Sequence, residues 1–420
     1  MRPRPEPGAR RRPAAPAVDS CVVLSDVIVL DLSRILAGPY ATQLLADLGA
    51  TVWKVEGLRG DDTRGWGPPF ASAPSGERES AYYLSVNRGK HGLAVDLKDP
   101  RGADLVRALA RRADIVIENF KVGDLARYGL DAATLRAADP RLIVCSITGF
   151  GQTGPRRHEA GYDAALQALS GVMAMTGHPE TGPAKIGVAW VDVLTGVHAS
   201  TAVLAALHRR DRTGEGATID LALFDVALAS LVNQSQSALV TGEAPALLGS
   251  SHPNIVPYGA FDAADAPLVV ACGNDAQFAR LCAAIGESEL AADARFASNA
   301  DRVANRDLLI PLLAERLRTR SRDAWLATLV AAGVPATPVL TVNEALVDPQ
   351  AEARGMIACV EHARLGPLPV VASPFGAHAA PPSPPPRIGE HTADVLTREL
   401  GLSRQEVDAL ARDGVIGLGA

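Results

Sequence analysis

Short apolar segments with the length of buried β-strands alternate with amphipathic helical segments in the first third of the chain. Strands are predicted at residues 27–31, 51–56, 93–97, 114–118 and 142–147. A helix with Pro39 at its first position follows the first strand, and a helix capped by Asp99 follows the third. Because strands that alternate with helices form parallel sheets covered on both faces, the sequence predicts an α/β fold with a Rossmann-like, doubly wound parallel sheet.

The chain has 420 residues, more than the roughly 250–300 at which a single hydrophobic core stops growing. A helical segment near residues 222–241, followed by a new strand at 268–272 and a helix at 277–285, predicts a second, smaller α+β domain. The expected division is a disordered tail at 1–20, a large domain at 21–226, a small domain at 227–335 and a return to the large domain at 336–420. Within that return, the proline-rich segment 381–386 is a stiff connector and 392–411 a helix pair.

A formal net charge of -6 gives the chain no overall attraction to nucleic acid or to anionic membranes, so neither is an expected partner. No apolar run reaches the roughly 18 residues of a membrane span. The arginine-rich tail contains five prolines, which favours a cytoplasmic enzyme over the alternative of an organellar targeting segment. Five cysteines without metal-ligand spacing indicate buried thiols in a reducing compartment.

Ligands of open parallel sheets bind beyond the carboxyl ends of the strands, so the segments after each strand are informative. They contain neither GxGxxG nor GxxxxGK[ST], which makes dinucleotides and nucleoside triphosphates poor candidates. Their shared feature is a set of cations, Arg59, Arg64, Lys98, Lys121 and Arg127. Such a set suits a ligand with several phosphates, as in coenzyme A, although solvated surface charge is the alternative.

From about residue 24 to its C-terminus, the chain resembles the class III coenzyme A transferases, also called the CaiB/BaiF type. The resemblance rests on DLSRILAGPYATQLLADLGATVWKVE (31–56), NRGKHGLAVDLKDPRG (87–102), ADIVIENF (113–120), VDVLTG (191–196) and IGEHTADVL (388–396). Within the family, GDDTRGWGPPF (60–70) and SHPNIVPYGAF (251–261) are most similar to the succinate–hydroxymethylglutarate type. The resemblance implies an interlocked homodimer that uses coenzyme A as a substrate, with no metal or redox cofactor.

The same resemblance assigns the catalytic role to Asp192. A carboxylate attacks an acyl-CoA thioester to give a mixed anhydride, recaptures the CoA thiolate as an aspartyl-CoA thioester, and passes CoA to an acceptor acid. Backbone N–H groups at a helix start are expected to stabilise its charge. From the residues alone, a structural N-cap is the alternative for this aspartate. The implied reaction uses succinyl-CoA as donor and a dicarboxylate such as glutarate as acceptor.

Further site residues follow from the resemblance. The CoA contacts are Leu36, Ala37, Val95, Lys98, Asn119, Phe120, Lys121, Arg127 and Tyr162, with Arg59 replacing an arginine that formyl-CoA transferases carry where this chain has Gly57. Those enzymes also carry a lysine in place of Ala160. The substrate contacts are Arg64, Gly249, Ser250 and His252, the last three in a segment that aligns with a mobile glycine-rich loop. Arg64, Arg88 and His252 are expected to bind the second carboxylate, although a solvated loop histidine is the alternative for His252.

Two other functions compete with CoA transfer. An α-methylacyl-CoA racemase shares the fold but needs two bases, which that family supplies with a Gly-His-Asp motif. Here the corresponding residues are Gly161, Tyr162 and Asp163, and a tyrosine with a pKa near about 10 is a poor base at neutral pH. Asp163 is expected to be a capping or network residue. A non-catalytic CoA-binding protein would need no carboxylate at position 192.

Overall fold

The computed structural model describes residues 22–73 and 76–419, so the predicted tail and Cys21 lie outside the described residues. The chain forms two compact units. The larger contains residues up to 166, Ala189–Val226 and residues from 353 onward, and the smaller contains Gln167–Val188 and Ala227–Glu352. The boundary after residue 226 coincides with the one drawn from sequence. The other boundaries differ, because the return begins at 353 and not at 336, and 167–188 lie with the smaller unit.

Hydrogen bonding explains both differences. Strand Ala336–Pro338 is the third strand of an antiparallel sheet, where it pairs with Pro267–Ala271 of the smaller unit. The Gly249 N–H donates to the Gly177 carbonyl over 2.8 Å, which ties the hairpin of Gly177–His178 and Gly182–Pro183 to the same unit. Neither pairing is readable from hydrophobic periodicity, because the strands involved have only two or three residues.

The larger unit is built on a seven-stranded sheet. Its strands are β1 (Ile28–Asp31), β2 (Thr51–Glu56), β3 (Lys90–Val95), β4 (Ile115–Glu118), β5 (Ile143–Thr148), β6 (Thr218–Ala222) and β7 (Ile416–Gly417). Their order is β6-β5-β4-β1-β2-β3-β7, and only β7 is antiparallel to its neighbour. The five predicted strands are confirmed. The expectation that the fifth closes the series was wrong, since β6 is half exposed and β7 has two residues, too short for a periodic signal.

The strand order places a topological switch point at the centre of the sheet. From β1 the chain adds β2 and β3 on one side, then returns to add β4 and β5 on the other. In parallel sheets of this kind, the crevice beyond the carboxyl ends of the two strands at the switch is the preferred ligand position. The loops that follow β1 and β4 are therefore expected to border the site.

Three long helices flank these loops or pack on the sheet. They are α1 (Ala37–Asp47), α2 (Pro100–Ala110) and α3 (Trp190–Thr213). The Asp99 side chain caps α2 as predicted, accepting from the Arg101 N–H over 2.8 Å. α1 begins two residues before Pro39, so proline is its third residue and not its first. A Cβ atom at Gly196 of α3 would lie 2.8 Å from the Ala37 carbonyl oxygen, so glycine there permits α3 to pack closely on α1.

α3 is long and apolar enough to cross a membrane by length and composition, which corrects the expectation that no such segment exists. An 18-residue window within it is 44% buried. The helix packs against α1, β5 and β6 of the larger unit. Its apolar surface is thus partly used in the core of that unit.

The other elements complete the two units. In the larger unit they are strands Phe70–Ser72, Arg78–Ser80, Ile357–His362 and Gly366–Val371, helices Ala81–Ser85, Ala132–Ala138, Thr392–Leu400 and Arg404–Arg412, and 3₁₀ helices Asp62–Gly65, Asp124–Tyr128 and Gly376–His378. Helices Asp163–Leu169, Leu223–Ala229 and Pro349–Ala353 span the unit boundaries. In the smaller unit they are strand Tyr258–Asp262, 3₁₀ helix Ala294–Phe296, and helices Val172–Met175, Val232–Thr241, Asp275–Ile285, Ser288–Ala292, Asn299–Ala304, Arg306–Leu317, Arg322–Ala331 and Val342–Leu346.

Each unit has its own hydrophobic core. In the larger, Trp53, Leu93 and Val116 of the sheet pack with Leu396 and Val407 of the C-terminal helix pair, which confirms that pair. In the smaller, the core contains the fully buried side chains of Phe278, Leu313 and Trp325. Among the described cysteines, Cys145, Cys272 and Cys282 are buried, but Cys359 is exposed on a two-stranded hairpin, so the expectation of uniformly buried thiols was wrong.

Candidate active site

A cavity of about 180 Å³ opens beyond the carboxyl ends of β1 and β4. Two hydrogen bonds tie the loops that border it: the Arg34 N–H donates to Asn119 Oδ1 over 2.9 Å, and Asn119 Nδ2 donates to the Arg34 carbonyl over 2.7 Å. The Asn119 amide therefore holds the loops together. The residues predicted from sequence that line this cavity are Leu36, Ala37, Asn119, Phe120, Lys121, Tyr162, Asp163 and Asp192.

Asp192 is the third residue of α3, and its side chain lines the cavity. Within the described part of the chain, its carboxylate has no hydrogen-bond donor. The N–H groups of Val191 and Asp192 donate to Asp163 Oδ1 over 2.8 and 3.2 Å. Asp163 therefore caps the start of α3, which confirms its predicted capping role. The same N–H groups were expected to stabilise the charge of Asp192, and that expectation was wrong.

The charge of Asp192 is destabilised by its surroundings. Burial, and then the neighbouring Asp163 carboxylate, raise the pKa of Asp192 to about 7. The group is thus partly ionised at neutral pH and, when ionised, has few partners that lower its reactivity. A carboxylate in this condition is suited to attack an activated carbonyl.

Tyr82 is close enough to the same two carboxylates for them to affect its pKa, and sequence reasoning gave it no role. Burial, then Asp192 and Asp163, raise the pKa of Tyr82 to about 12, so its hydroxyl stays protonated at neutral pH. Its ring packs edge-on against Trp66, with ring centroids 5.1 Å apart. Its place in YYLSVNRGK (82–90), which overlaps the family-like block 87–102, was the only sequence signal for it.

A second cavity, of about 920 Å³, shares Arg34 and Phe120 with the first. It is lined by the remaining residues predicted to contact CoA, which are Arg59, Val95, Lys98 and Arg127. Four of the predicted contacts, Arg59, Lys98, Lys121 and Arg127, are exposed cations, and none of these four makes an ion pair with a described carboxylate. Cations without acidic partners are available to phosphate groups. The structure thus brings all ten predicted CoA contacts to two adjoining cavities.

The loop between β1 and α1 is strained. Ile35, a β-branched residue, has a φ of 72°, a conformation that costs of order 1–3 kcal/mol. Its N–H donates to Asp61 Oδ2 over 3.2 Å. Asp61 in turn lies 3.0 Å from Lys54 Nζ, and both side chains are fully buried. The backbone strain is held by a buried ion pair beneath the cavity.

Burial opposes ionisation of Asp61, but Lys54 and the hydrogen bonds of Thr63 outweigh it and lower the pKa of Asp61 to about 2. The pair therefore stays charged at neutral pH. Sequence reasoning missed both residues. The available signal was the lysine within the apolar strand TVWKVE, because a buried lysine requires an acidic partner.

Arg64 was predicted to bind a substrate carboxylate, and the structure contradicts this. Its guanidinium donates twice to Glu56, over 2.9 and 2.8 Å, and once each to Glu79 and to the Pro386 carbonyl. It also lies 3.6 Å from the centre of the Tyr83 ring. Four of its five N–H donors are used and its side chain is 8% exposed, so Arg64 joins the predicted proline-rich connector to β2.

Arg88 is also unavailable to substrate. It forms a buried ion pair with Asp47 at the C-terminal end of α1, whereas the cavity lies at the N-terminal end of that helix. It lines neither cavity. From sequence alone a buried arginine cannot be told from a ligand-binding one, since both positions favour the same residue type.

The segment 249–254 belongs to the smaller unit, where its backbone is hydrogen-bonded to a strand. The His252 N–H donates to the Tyr258 carbonyl over 2.8 Å, and Ser250 Oγ accepts from the Ala260 N–H over 2.9 Å. Gly249 has a φ of 56° and lies against His178. His252 Nδ1 accepts from the Asn254 N–H over 3.0 Å, leaving Nε2 as its donor. A substrate role for Gly249, Ser250 and His252 stays a prediction.

The residues expected of a racemase are placed differently. Tyr162 is 68% exposed, and the Asp163 carboxylate is occupied as the cap of α3. Neither is arranged as a second base opposite Asp192. In the described residues, no three His, Cys, Asp or Glu side chains are grouped to hold a metal ion.

Comparison with known proteins agrees with this geometry. A model of CoA-transferase family III matches residues 24–392. The succinate–glutarate CoA-transferase of Agrobacterium fabrum is 47% identical over 379 residues, 89% of this chain and 94% of that protein. The succinyl-CoA:glutarate CoA-transferase of Homo sapiens is 40% identical over 400 residues, 94% of this chain and 90% of that protein. A crystal structure of a CAIB/BAIF family protein from Brucella suis has a TM-score of 0.80 and 46% identity, covering 89% of this chain and 98% of that one.

Proposed function

Because the chain belongs to CoA-transferase family III, we propose that it transfers CoA from succinyl-CoA to glutarate or a dicarboxylate of similar size, with Asp192 as the nucleophile. The family makes the chain a CoA-transferase. One observation supports Asp192 as the nucleophile: its carboxylate lines the cavity, accepts no hydrogen bond from the described residues, and has a pKa raised to about 7.

The proposed reaction is a sequence of acyl transfers. An Asp192 oxygen attacks the succinyl-CoA thioester carbonyl, the C–S bond breaks, and CoA leaves as the thiolate. The thiolate then attacks the aspartyl carbonyl of the mixed anhydride, which releases succinate and leaves an aspartyl-CoA thioester. A glutarate carboxylate attacks this thioester, the C–S bond breaks, and CoA thiolate departs, leaving a glutaryl anhydride of Asp192. The thiolate then attacks the glutaryl carbonyl, which forms glutaryl-CoA and restores the Asp192 carboxylate.

The two cavities support a division of labour. The exposed cations Arg59, Lys98 and Arg127 line the larger cavity and are suited to the phosphates of CoA. The smaller cavity contains Asp192 and is suited to the thioester and the acyl group. Arg34 and Phe120 line both, which is where the pantetheine chain would pass.

The choice of acids is supported by the relatives, whose names specify succinate or succinyl-CoA together with glutarate. Coenzyme A is the only cofactor-like molecule in the proposal, and it is a substrate. The homodimer that the resemblance implies and the cytoplasmic location inferred from the N-terminal tail stay predictions. Light scattering at micromolar concentration tests the first, since an active monomer would contradict it.

The test is CoA transfer from succinyl-CoA to glutarate by the wild-type chain and by Asp192→Asn. We expect the variant to lose activity, because a neutral amide does not form the anhydride. Asp211→Asn is the matched control. It changes an exposed aspartate on the same helix, about 28 Å along α3 at 1.5 Å per residue, and should keep full activity. Equal activity of the Asp192→Asn variant and wild type would overturn the proposal.

A further inference from the structure

Residues 149–161 form a loop that is closed at its base by two glycines. A Cβ atom at Gly161 would lie 2.2 Å from the Gly149 Cα, and one at Gly149 would lie 2.6 Å from the Gly161 Cα. The backbones at the two ends of the loop are therefore in direct contact, the arrangement of a compact Ω-loop. Two residues beyond Gly161, Asp163 caps α3, so the end of the loop is linked to the helix that carries Asp192.

Two adjacent arginines on this loop have opposite environments. The Arg156 guanidinium lies 4.2 Å from the centre of the Phe150 ring and 2.6 Å from Glu159, both within the loop. Arg157 has one weak hydrogen bond, 3.5 Å to the Gly154 carbonyl, and lines the cavity that contains Asp192. Arg156 does not line it. Within the described residues, Arg157 therefore has no acidic partner.

An acyl group with a second carboxylate brings further negative charge into the cavity, and an unpaired cation is needed to balance it. Asp163 and Asp192 already place negative charge there. Of the other cations that line the cavity, Arg34 is paired with Asp62 at 3.0 Å. Lys121 also lines this cavity, but its ammonium group is a point charge without the paired N–H groups that a guanidinium offers to a carboxylate. The two arginines that sequence reasoning offered for the second carboxylate, Arg64 and Arg88, are buried in ion pairs.

We propose that Arg157 binds the free carboxylate of the succinyl and glutaryl groups and so selects dicarboxylates over monocarboxylates. This rests on the proposed function. A guanidinium forms two parallel hydrogen bonds with a carboxylate, which lysine does not reproduce. Both acids occupy the same position in turn because each is joined to Asp192 as the anhydride. A single arginine therefore serves donor and acceptor.

The test compares Arg157→Gln with Arg156→Gln as the matched control. In the inactive Asp192→Asn background, calorimetry measures the binding of succinyl-CoA, butyryl-CoA and free CoA. We expect Arg157→Gln to weaken succinyl-CoA binding by about 10- to 100-fold, the range for loss of a charged hydrogen-bonded partner, and to leave butyryl-CoA and CoA within about twofold. Arg157→Lys should recover part of the loss, and Arg156→Gln should leave the selectivity unchanged.

Three outcomes would overturn the inference. Equal weakening of all three ligands would mean that Arg157 contacts the CoA portion. Unchanged succinyl-CoA binding would make it a surface residue, and the same selectivity loss in Arg156→Gln would mean that the loop acts as a whole. Failure of the proposed function is seen separately, as wild-type protein that transfers no CoA between succinyl-CoA and glutarate, because the binding measurement needs no turnover.

Discussion

Replacing Asp192 with asparagine should abolish activity and stabilise the fold at alkaline pH. Raising the pKa of this carboxyl from 3.8 to about 7 disfavours its ionisation by about 4 kcal/mol, at about 1.4 kcal/mol for each pKa unit. The folded chain holds a proton at Asp192 that the unfolded chain releases near pH 4. The free energy of unfolding therefore falls as pH rises from about 4 to about 7. Asparagine, which does not ionise, removes this loss.

The assay is thermal unfolding of wild type, Asp192→Asn and Asp211→Asn at pH 5 and pH 8. At pH 8 the Asp192→Asn variant should exceed wild type by up to about 4 kcal/mol, which is several degrees in Tm, and the excess should shrink at pH 5. Asp211 is exposed, so its variant should follow wild type at both pH values. An Asp192→Asn variant that is no more stable than wild type at pH 8, or whose excess does not depend on pH, would refute the reasoning.

Three further predictions concern the pH profile, the buried ion pair and CoA binding. The kcat/KM for succinyl-CoA should rise with pH to a plateau, with a midpoint near 7, because the ionised form of Asp192 is the nucleophile. Asp163→Asn should move this midpoint to lower pH, because it removes a negative charge next to Asp192. A midpoint that does not move would contradict that cause. Lys54→Met should destabilise the larger unit by about 3–5 kcal/mol in urea titration, because it leaves Asp61 buried without its partner. The double variant Lys54→Met with Asp61→Asn should recover part of this loss. If the free-energy losses of the two single variants simply add in the double variant, the two side chains do not act as a pair. Arg127→Ala should raise KM for acyl-CoA more than it lowers kcat, since a phosphate contact far from the thioester adds uniform binding, and an unchanged KM would make Arg127 a surface residue.

The sheet was predictable where its strands are buried on both faces. β1, β2, β4 and β5 are almost entirely buried and consist mainly of apolar and β-branched residues, which gives a clear signal. β6 alternates exposed with half-buried residues, and β7 depends on a pairing with β3 more than three hundred residues earlier. Interactions this distant along the chain leave no local pattern to read.

Helices were harder to divide. The predicted helix at 222–241 is two helices, Leu223–Ala229 and Val232–Thr241, and Val232, the first residue of the second, has a positive φ of 41°. Hydrophobicity continues across the break, so the sequence gives no warning of it. The predicted start of α1 was two residues too late, because proline is tolerated throughout the first turn of a helix and does not mark its first residue.

The candidate site was predictable as a set of positions and less so as a set of partners. The ten CoA contacts that the family resemblance implied all line the two cavities. Arg64 and Arg88 were predicted to bind substrate, but each forms an ion pair with a carboxylate of the protein itself. Arg157 was overlooked because the sequence does not distinguish it from the adjacent Arg156, and only the folded loop shows which of the two has an acidic partner.

Trapping the intermediate with hydroxylamine tests the central claim most directly. Cleavage by trypsin after Lys185 and Arg209 gives a peptide, residues 186–209, whose only carboxyl side chain is Asp192. After incubation with succinyl-CoA and hydroxylamine, mass spectrometry should find Asp192 as a hydroxamate, because an aspartyl anhydride or thioester reacts with the amine and a free carboxylate does not. The modification should require succinyl-CoA and be absent from Asp192→Asn. Transfer of CoA at the full rate, with this peptide unmodified or with the hydroxamate on another residue, would contradict the account.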